Sequence, residues 1–181
     1  MATYLDRILD AHRKVAADDH RSVDQLRDQA AVLPAARGFE RALANATGLG
    51  VISEVKRRSP SKGDLFADLD PAVLATSYQA GGATCLSVLT DVDWFGGSPE
   101  DLAAARAAVT IPVLRKDFTV SEADVCDTRL MGADAVLLIA AALDDVELKA
   151  FHQLATELGL DVLVEIHDEA ELDRALAVGA T

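Results

Sequence analysis

The sequence contains few aromatic residues and few cysteines. Phe, Trp and Tyr make up 4% of the 181 residues, so a core has to be built largely from aliphatic side chains. The two cysteines, Cys85 and Cys126, are too few for a disulfide framework, and neither belongs to a CxxC pair. His and Cys residues do not cluster at metal-ligand spacing. These absences exclude disulfide-rich and zinc-stabilised small folds.

Long apolar runs are also missing. The longest, AVLLIAAAL at residues 135–143, is far shorter than the roughly 20 residues that a transmembrane helix needs. The segment after Met1 is polar and amphipathic and lacks the apolar centre of a signal peptide. We therefore expect a cytoplasmic protein that does not cross a membrane.

Positive charge is scarce overall but concentrated at one place. The chain has 17 Lys and Arg against 30 Asp and Glu, which gives a formal net charge of -13. Such a balance argues against nucleic acid and against anionic membrane surfaces as partners. Yet one short segment, VISEVKRRSPSKG at residues 51–63, carries four basic residues: Lys56, Arg57, Arg58 and Lys62.

Two regions of the chain differ in their hydrophobic pattern. Residues 1–47 predict helices: an amphipathic first one, a second that begins after Ser22 and runs to Leu33, and a third over residues 38–48. From residue 48 onward, five short apolar segments alternate with five helical segments through short links. We therefore predict a helical extension over residues 1–47 and parallel βα units over residues 48–181.

The alternation is typical of an α/β fold with a parallel sheet. The turn after the first strand lacks the GxGxxG pattern of an open dinucleotide-binding sheet, which favours a (βα)8 barrel. A complete barrel has eight units in about 250 residues, and this chain contains five. The sequence therefore predicts a TIM-barrel-family fold of which only units 1–5 are present.

Four charged residues lie at the C-terminal ends of three predicted strands. Alternate residues of a strand share one face, so Glu54 and Lys56 lie opposite Val51 and Val55. The two valines suit the layer between strands and helices, and the same alternation places Lys116 and Glu165 on the inner face, with Leu114 and Leu163.

Each of these charges alone is typical of a solvated rim, and Glu54 with Lys56 could be a structural ion pair. Four of them from three strands, at the end where barrel enzymes keep their active sites, indicate acid–base chemistry.

Five segments together resemble one enzyme family. They are VISEVKRRSPSKG, SVLTDVDWFGGS, IPVLRKDF, ADAVLLIAAAL and LVEIH, and in this order and spacing they resemble indole-3-glycerol-phosphate synthase. The helical N-terminus matches that family's extension as well. The resemblance implies a carboxy-lyase of tryptophan biosynthesis that closes an indole ring on 1-(2-carboxyphenylamino)-1-deoxyribulose 5-phosphate, with loss of carbon dioxide and water. It implies neither a cofactor nor a metal.

The resemblance also implies roles for individual residues. Lys116 is the general acid that protonates the substrate ketone, and Glu165 is the general base of the dehydration. Lys56 holds the substrate carboxylate and donates a proton in the dehydration, while Glu54 orients Lys56 and contacts substrate hydroxyls. Substrate-binding residues are also implied, namely a loop serine and an apolar wall around the anthranilate ring: Ser59, Phe95, Phe118 and Leu137.

The resemblance also explains the four basic residues of segment 51–63, here called the basic loop, in an otherwise acidic protein. It lies at the mouth of the expected site, where a substrate with one carboxylate and one phosphate has to enter. Lys56 points inward, and we expect Arg57, Arg58 and Lys62 to steer the anion or to brace the loop.

The family pattern continues beyond Thr181, with a sixth strand that carries an Asn and with later phosphate-binding turns. We therefore expect a truncated chain that is inactive alone and has open sheet edges available for self-association. Two alternatives remain open: a non-catalytic folding fragment, and another phosphate-binding barrel such as phosphoribosylanthranilate isomerase. The Cys/Asp pair at strand ends that the isomerase would use is not found in the sequence.

Overall fold

The computed structural model describes residues 3–180, where helices and strands alternate after a helical start. The α-helices are α1 (Tyr4–Ala17), α2 (Val23–Ala31), α3 (Phe39–Ala44), α4 (Pro71–Ala80), α5 (Pro99–Ala108), α6 (Glu122–Leu130), α7 (Asp145–Glu157) and α8 (Glu169–Ala177). The strands are β1 (Ile52–Val55), β2 (Arg58–Ser59), β3 (Gly63–Asp64), β4 (Cys85–Leu89), β5 (Val113–Lys116), β6 (Ala135–Ile139) and β7 (Asp161–Glu165). A short 3-10 helix covers Ala140–Ala142.

The main sheet has five strands in the order β1-β4-β5-β6-β7, and each is followed by a helix. The pairs β1–β4 and β4–β5 are parallel. Strands β2 and β3 form a separate two-stranded antiparallel ladder. The predicted fold class, the first five units of a (βα)8 barrel, is confirmed. Within residues 3–180, no helix is both long enough and apolar enough to span a membrane.

Helix α2 begins after Ser22 as predicted, and α2 and α3 both end earlier than predicted. Thr3 and Asp6 form a capping box at α1, and the Ser22 hydroxyl accepts a hydrogen bond from the backbone N–H of Gln25 at α2. Helix α2 stops at Ala31 instead of Leu33, since a residue before a proline avoids helical backbone angles and Pro34 follows Leu33. Helix α3 stops at Ala44, with Asn45 as its C-cap, rather than continuing to residue 48.

The chain divides into two compact units. Within the described residues, unit 1 comprises 3–35, 118–130 and 136–180, and unit 2 comprises 36–117 and 131–135. Unit 1 buries aliphatic residues from α2, α6, β6 and α7, among them Leu26, Val125, Val136, Leu138 and Leu148. A fully buried side chain of this size contributes about 1.5–3 kcal/mol relative to an exposed one.

The core of unit 2 lies between its strands and the helices α4 and α5. Val55, Leu86, Val88 and Val113 come from the strands and pack with helix residues such as Leu102. Val55 therefore lies in the predicted strand–helix layer. The same prediction is wrong for Val51, which precedes β1 and leaves 41% of its surface exposed.

A buried carboxylate also stabilises unit 2. Asp134 is inaccessible to solvent and accepts hydrogen bonds from the backbone N–H groups of Arg37 and Val113, both at 2.9 Å. The Arg106 guanidinium lies 3.1 Å from the same carboxylate. Burying a charge is costly unless it is paired, and these donors satisfy Asp134 where β5 begins.

Candidate active site

Glu54 and Lys56 form an ion pair at the C-terminal end of β1. The Lys56 ammonium contacts the Glu54 carboxylate directly, and the Lys56 and Glu54 side chains keep 30% and 33% of their surface exposed. The Glu54 carbonyl oxygen accepts a hydrogen bond of 3.1 Å from the Tyr78 hydroxyl, which fixes the strand against α4. Partial burial strengthens such a pair relative to one on the open surface. The pair is therefore a defined feature at the end of the first strand.

The strand register of unit 2 places Lys116 on the same face of the sheet. Glu54 pairs with Ser87, and Ser87 pairs with Leu114, so these three side chains are neighbours across three strands. Lys116 is the last residue of β5 and lies two positions beyond Leu114. The opposite face carries Val55 and other residues that pack against helices. Side chains two positions apart in a strand share a face of the sheet. Lys116 therefore lies on the same face as Leu114 and Glu54, as predicted.

The backbone at Lys116 is held by a buried polar network that the sequence analysis missed. Arg115 donates to Thr90 Oγ1 at 3.1 Å and to Asp117 Oδ2 at 2.9 Å, and Thr90 Oγ1 also contacts that carboxylate. The Thr90 N–H donates to the Lys116 carbonyl oxygen at 3.2 Å. The residues Thr90, Arg115 and Asp117 are all buried. The charged run RKD at residues 115–117 could have indicated this network, but the sequence analysis assigned a role only to Lys116.

The two arginines of the basic loop act as tethers. Arg57 pairs with Asp101 at 2.8 Å and donates to the Leu69 carbonyl oxygen. Hydrogen bonds to Asp101 raise the pKa of Arg57 above its ordinary value. Arg58 donates to the carbonyl oxygens of Asp93 and Trp94. The bracing role expected for these arginines is confirmed.

The remaining loop residues have different surroundings. Ser59 belongs to β2 and is partly buried, whereas Lys62, at the turn between β2 and β3, is exposed. Phe95 lies in the loop after β4, where its N–H and that of Trp94 donate to Asp91 at 3.0 and 2.7 Å. Ser59 and Phe95 thus lie in loops that follow two neighbouring strands.

A close backbone approach fixes the loop that carries Phe95. A Cβ atom on Gly97 would lie 2.1 Å from the Leu89 carbonyl oxygen, so only glycine fits there. The Gly97 N–H donates to the Asp91 carbonyl oxygen at 2.8 Å. The aromatic residue is therefore presented on a tightly folded turn.

Unit 1 holds the other three predicted residues. Glu165 ends β7, and one of its carboxylate oxygens lies 3.6 Å from Nε2 of His167, a neighbour that sequence reasoning did not identify. Leu137 lies in β6 between Val136 and Leu138, which belong to the core of the unit, and only 1% of its surface is exposed. The Phe118 ring packs at 5.2 Å from the ring of His12.

Comparison with known proteins gives a consistent family assignment. A family model described as indole-3-glycerol phosphate synthase matches residues 5–181. A protein of that name from Hyphomonas neptunium is 48% identical over 181 residues, which is 97% of this chain and 68% of the relative. One from Chlorobium luteolum is 50% identical over 182 residues, covering 99% of this chain and 70% of the relative.

A third relative matches more closely over a shorter stretch. The indole-3-glycerol phosphate synthase of a Nocardioides species is 62% identical over 135 residues, which is 75% of this chain and 52% of that protein. The chain thus spans between half and 70% of the length of these curated relatives. The resemblance inferred from the motifs is confirmed, and the chain belongs to the indole-3-glycerol phosphate synthase family.

Proposed function

We propose that this chain contributes catalytic residues to an indole-3-glycerol phosphate synthase. The substrate is 1-(2-carboxyphenylamino)-1-deoxyribulose 5-phosphate, a small phosphorylated molecule, and the products are indole-3-glycerol phosphate, carbon dioxide and water. The observation that carries the proposal is the Glu54–Lys56 pair, which shares one sheet face with Lys116 at the C-terminal ends of β1 and β5, the strands on either side of β4. Barrel enzymes have their active sites at the C-terminal ends of the strands.

In the first step, Lys116 acts as general acid. Its ammonium donates a proton to the ketone oxygen while the ring carbon that bears the carboxylate attacks the ketone carbon. The carbon–carbon bond to the carboxylate then breaks, and its electron pair restores the aromatic ring as carbon dioxide leaves. A partly buried lysine at a rigid strand end suits this role, because proton transfer needs a fixed geometry.

The second step removes water. Glu165 takes a proton from the ring-closed intermediate, and Lys56 donates one to the departing hydroxyl group. Glu54 orients Lys56 through the ion pair in the unliganded protein, and we assign it contacts to the substrate hydroxyls. One proton is removed by Glu165 and one is donated by Lys56, so the step releases one neutral water molecule.

Binding is assigned to loop and apolar residues. We place Ser59 against the substrate and an apolar wall around its aromatic ring, formed by Phe95, Phe118 and Leu137. With Arg57 and Arg58 occupied as tethers, the exposed Lys62 is the loop cation left to attract the anionic substrate.

Three further properties are part of the proposal. The helical extension covers residues 1–47 and the barrel units cover residues 48–181, a boundary supported by the helices α1–α3 that precede β1. The protein works in the cytoplasm, which is supported by the buried cysteines Cys85 and Cys126, neither of which forms a disulfide within residues 3–180. Residues 1–181 alone self-associate through β1 and β7, the edge strands of the sheet order. A sedimentation mass that stays monomeric at all concentrations would reject the last statement.

The function is tested with the full-length protein and the carboxyphenylamino substrate. We expect an increase in indole fluorescence together with release of carbon dioxide. Lys116→Ala should abolish most of the activity, whereas the control Lys149→Ala, which changes an exposed lysine on α7, should retain it. A purified, folded protein that forms no indole product would refute the proposal.

A further inference from the structure

The hydroxyl group of Ser87 is a buried polar group without a hydrogen bond. Ser87 lies in β4 with 4% of its surface exposed, and its Oγ has no hydrogen-bond partner among residues 3–180. Burying a hydroxyl without a partner is unfavourable, because the group gives up its hydrogen bonds to water. Native structures keep few such groups, and each one that remains calls for an explanation.

The neighbours of Ser87 show which group can become its partner. In the strand register, Ser87 lies between Glu54 on β1 and Leu114 on β5, with all three side chains on one face. Leu114 offers only an apolar surface. Glu54 offers a carboxylate on the adjacent strand, about 4.8 Å away in backbone spacing, which a glutamate side chain can bridge to reach a serine hydroxyl.

Glu54 is able to accept this hydrogen bond. One of its carboxylate oxygens contacts Lys56, while the other has no hydrogen-bond partner within residues 3–180. Its side chain is one-third exposed, so it has room to change rotamer. The Ser87 oxygen itself is closed to solvent, so bulk water does not supply the missing acceptor.

We propose that Ser87 is a positioning residue that holds Glu54 when Lys56 turns to the substrate. In the unliganded protein, Glu54 is paired with Lys56. When the anionic substrate arrives, the Lys56 ammonium contacts the substrate carboxylate, and the Ser87 O–H donates to the Glu54 carboxylate. No proton is transferred, since one hydrogen bond replaces another. The inference rests on the proposed function, which places the substrate at Lys56.

This exchange has a kinetic consequence. Without the Ser87 hydroxyl, a Glu54 carboxylate that releases Lys56 has no donor on the neighbouring strand, so the Glu54–Lys56 pair resists opening. A hydrogen bond to a charged group contributes about 1.5–3 kcal/mol, which corresponds to a loss of about tenfold to a hundredfold in kcat/KM. A serine without this positioning role would leave kcat/KM unchanged on replacement by alanine. Stability does not separate the two cases, because removing an unpaired buried hydroxyl is neutral or stabilising in both.

The test compares Ser87→Ala and Ser87→Cys with wild type in the full-length protein. We expect Ser87→Ala to lower kcat/KM by about tenfold or more while the melting temperature stays equal or rises. The thiol of Ser87→Cys is a weak donor of similar size, so the kcat/KM of this variant should lie between those of wild type and Ser87→Ala. Ser87→Cys also replaces Ser87→Ala as the test if the alanine variant fails to fold. Ser77→Ala is the matched control, since that hydroxyl donates to the Val73 carbonyl oxygen within α4.

A double-mutant cycle identifies the partner. If Ser87 acts through Glu54, adding Ser87→Ala to Glu54→Gln should cost much less than Ser87→Ala costs alone. Full additivity of the two changes would overturn the inference, as would wild-type kcat/KM in a folded Ser87→Ala variant. If wild type itself forms no product, it is the proposed function that fails.

Discussion

Arg57 and Asp101 form a two-point ion pair that joins the loop after β1 to the first turn of α5. Arg57 Nε lies 2.9 Å from Oδ2 of Asp101, and a terminal guanidinium nitrogen lies 2.8 Å from Oδ1. The exposed fractions of the two side chains are 24% and 15%, so the pair is largely shielded from water. Arg57 directly follows Lys56, and its carbonyl oxygen accepts hydrogen bonds from the N–H groups of Leu65 and Phe66. One residue thus holds both ends of the basic loop.

Arg57→Met should therefore loosen this loop. We expect a loss of about 1–3 kcal/mol in the free energy of unfolding, because the Asp101 carboxylate is left largely buried without its partner. KM should rise as well, since Ser59 and Lys56 lose their fixed support. Urea unfolding and steady-state kinetics measure the two effects. Arg27→Met breaks a more exposed pair with Glu157, whose side chains are 41% and 45% exposed, and should change stability little. Equal effects of both variants would contradict the argument.

The alternation of strands and helices could be predicted because it depends on local patterns. Apolar runs of four to five residues, such as Cys85–Leu89, carry the strand signal, and the start of α2 follows from its capping residue, Ser22. The common face of Glu54 and Lys56 follows from strand alternation alone. These features need no knowledge of distant contacts.

Other features depend on residues far apart in sequence and were missed. The ladder of β2 and β3 has only two residues per strand and is held by hydrogen bonds to Arg57 and Phe95, not by a hydrophobic pattern. The contact of Arg115 with Thr90 joins residues 25 positions apart. Val51 was placed in the core because its type fits a strand, but the strand begins one residue later. Pairing across strands, not local preference, decides these details.

Lys116→Ala tests the general acid. We expect kcat to fall by about 10²- to 10⁴-fold, the usual contribution of a proton donor. KM should change far less, because the donor acts mainly in the transition state. Steady-state kinetics with the full-length protein measures both constants, with Lys149→Ala as control. An unchanged kcat would transfer the role to another residue, and Lys56 would be tested next.

Gly97→Ala should disturb the turn that carries Phe95. The new methyl group would overlap the Leu89 carbonyl oxygen, so β4 or the turn has to shift. Overpacking of this kind costs about 1–3 kcal/mol, and a displaced Phe95 should raise KM. Thermal unfolding and kinetics measure these effects. Gly81→Ala is a suitable control, because Gly81 has a φ of -78°, which any residue can adopt; a destabilisation as large as that of Gly97→Ala would argue against a specific clash.

Arg13 and Glu147 should make the stability of the protein depend on acidic pH. Arg13 on α1 donates to both Glu147 oxygens, at 2.7 and 2.9 Å, and these hydrogen bonds lower the pKa of Glu147 below its ordinary value of 4.5. Above pH 4.5 the carboxylate is charged in both the folded and the unfolded chain, so the full stabilisation is present. As the pH falls below 4.5, the unfolded chain binds the proton first, and stability is lost until the pH has passed the lower pKa of the folded state.

Glu147→Gln should therefore lower the free energy of unfolding at pH 7 and flatten its decline below pH 4.5. The amide oxygen of the introduced glutamine could still accept the capping hydrogen bond from the Asp144 N–H, so the variant isolates the loss of charge. Arg13→Met leaves the carboxylate in place but removes the cause of the pKa shift, and it should flatten the same part of the curve. Urea unfolding from pH 7 to pH 3 measures the effect. Curves for wild type and Glu147→Gln that run parallel below pH 4.5 would show that this pair does not link α1 to α7 through its charge.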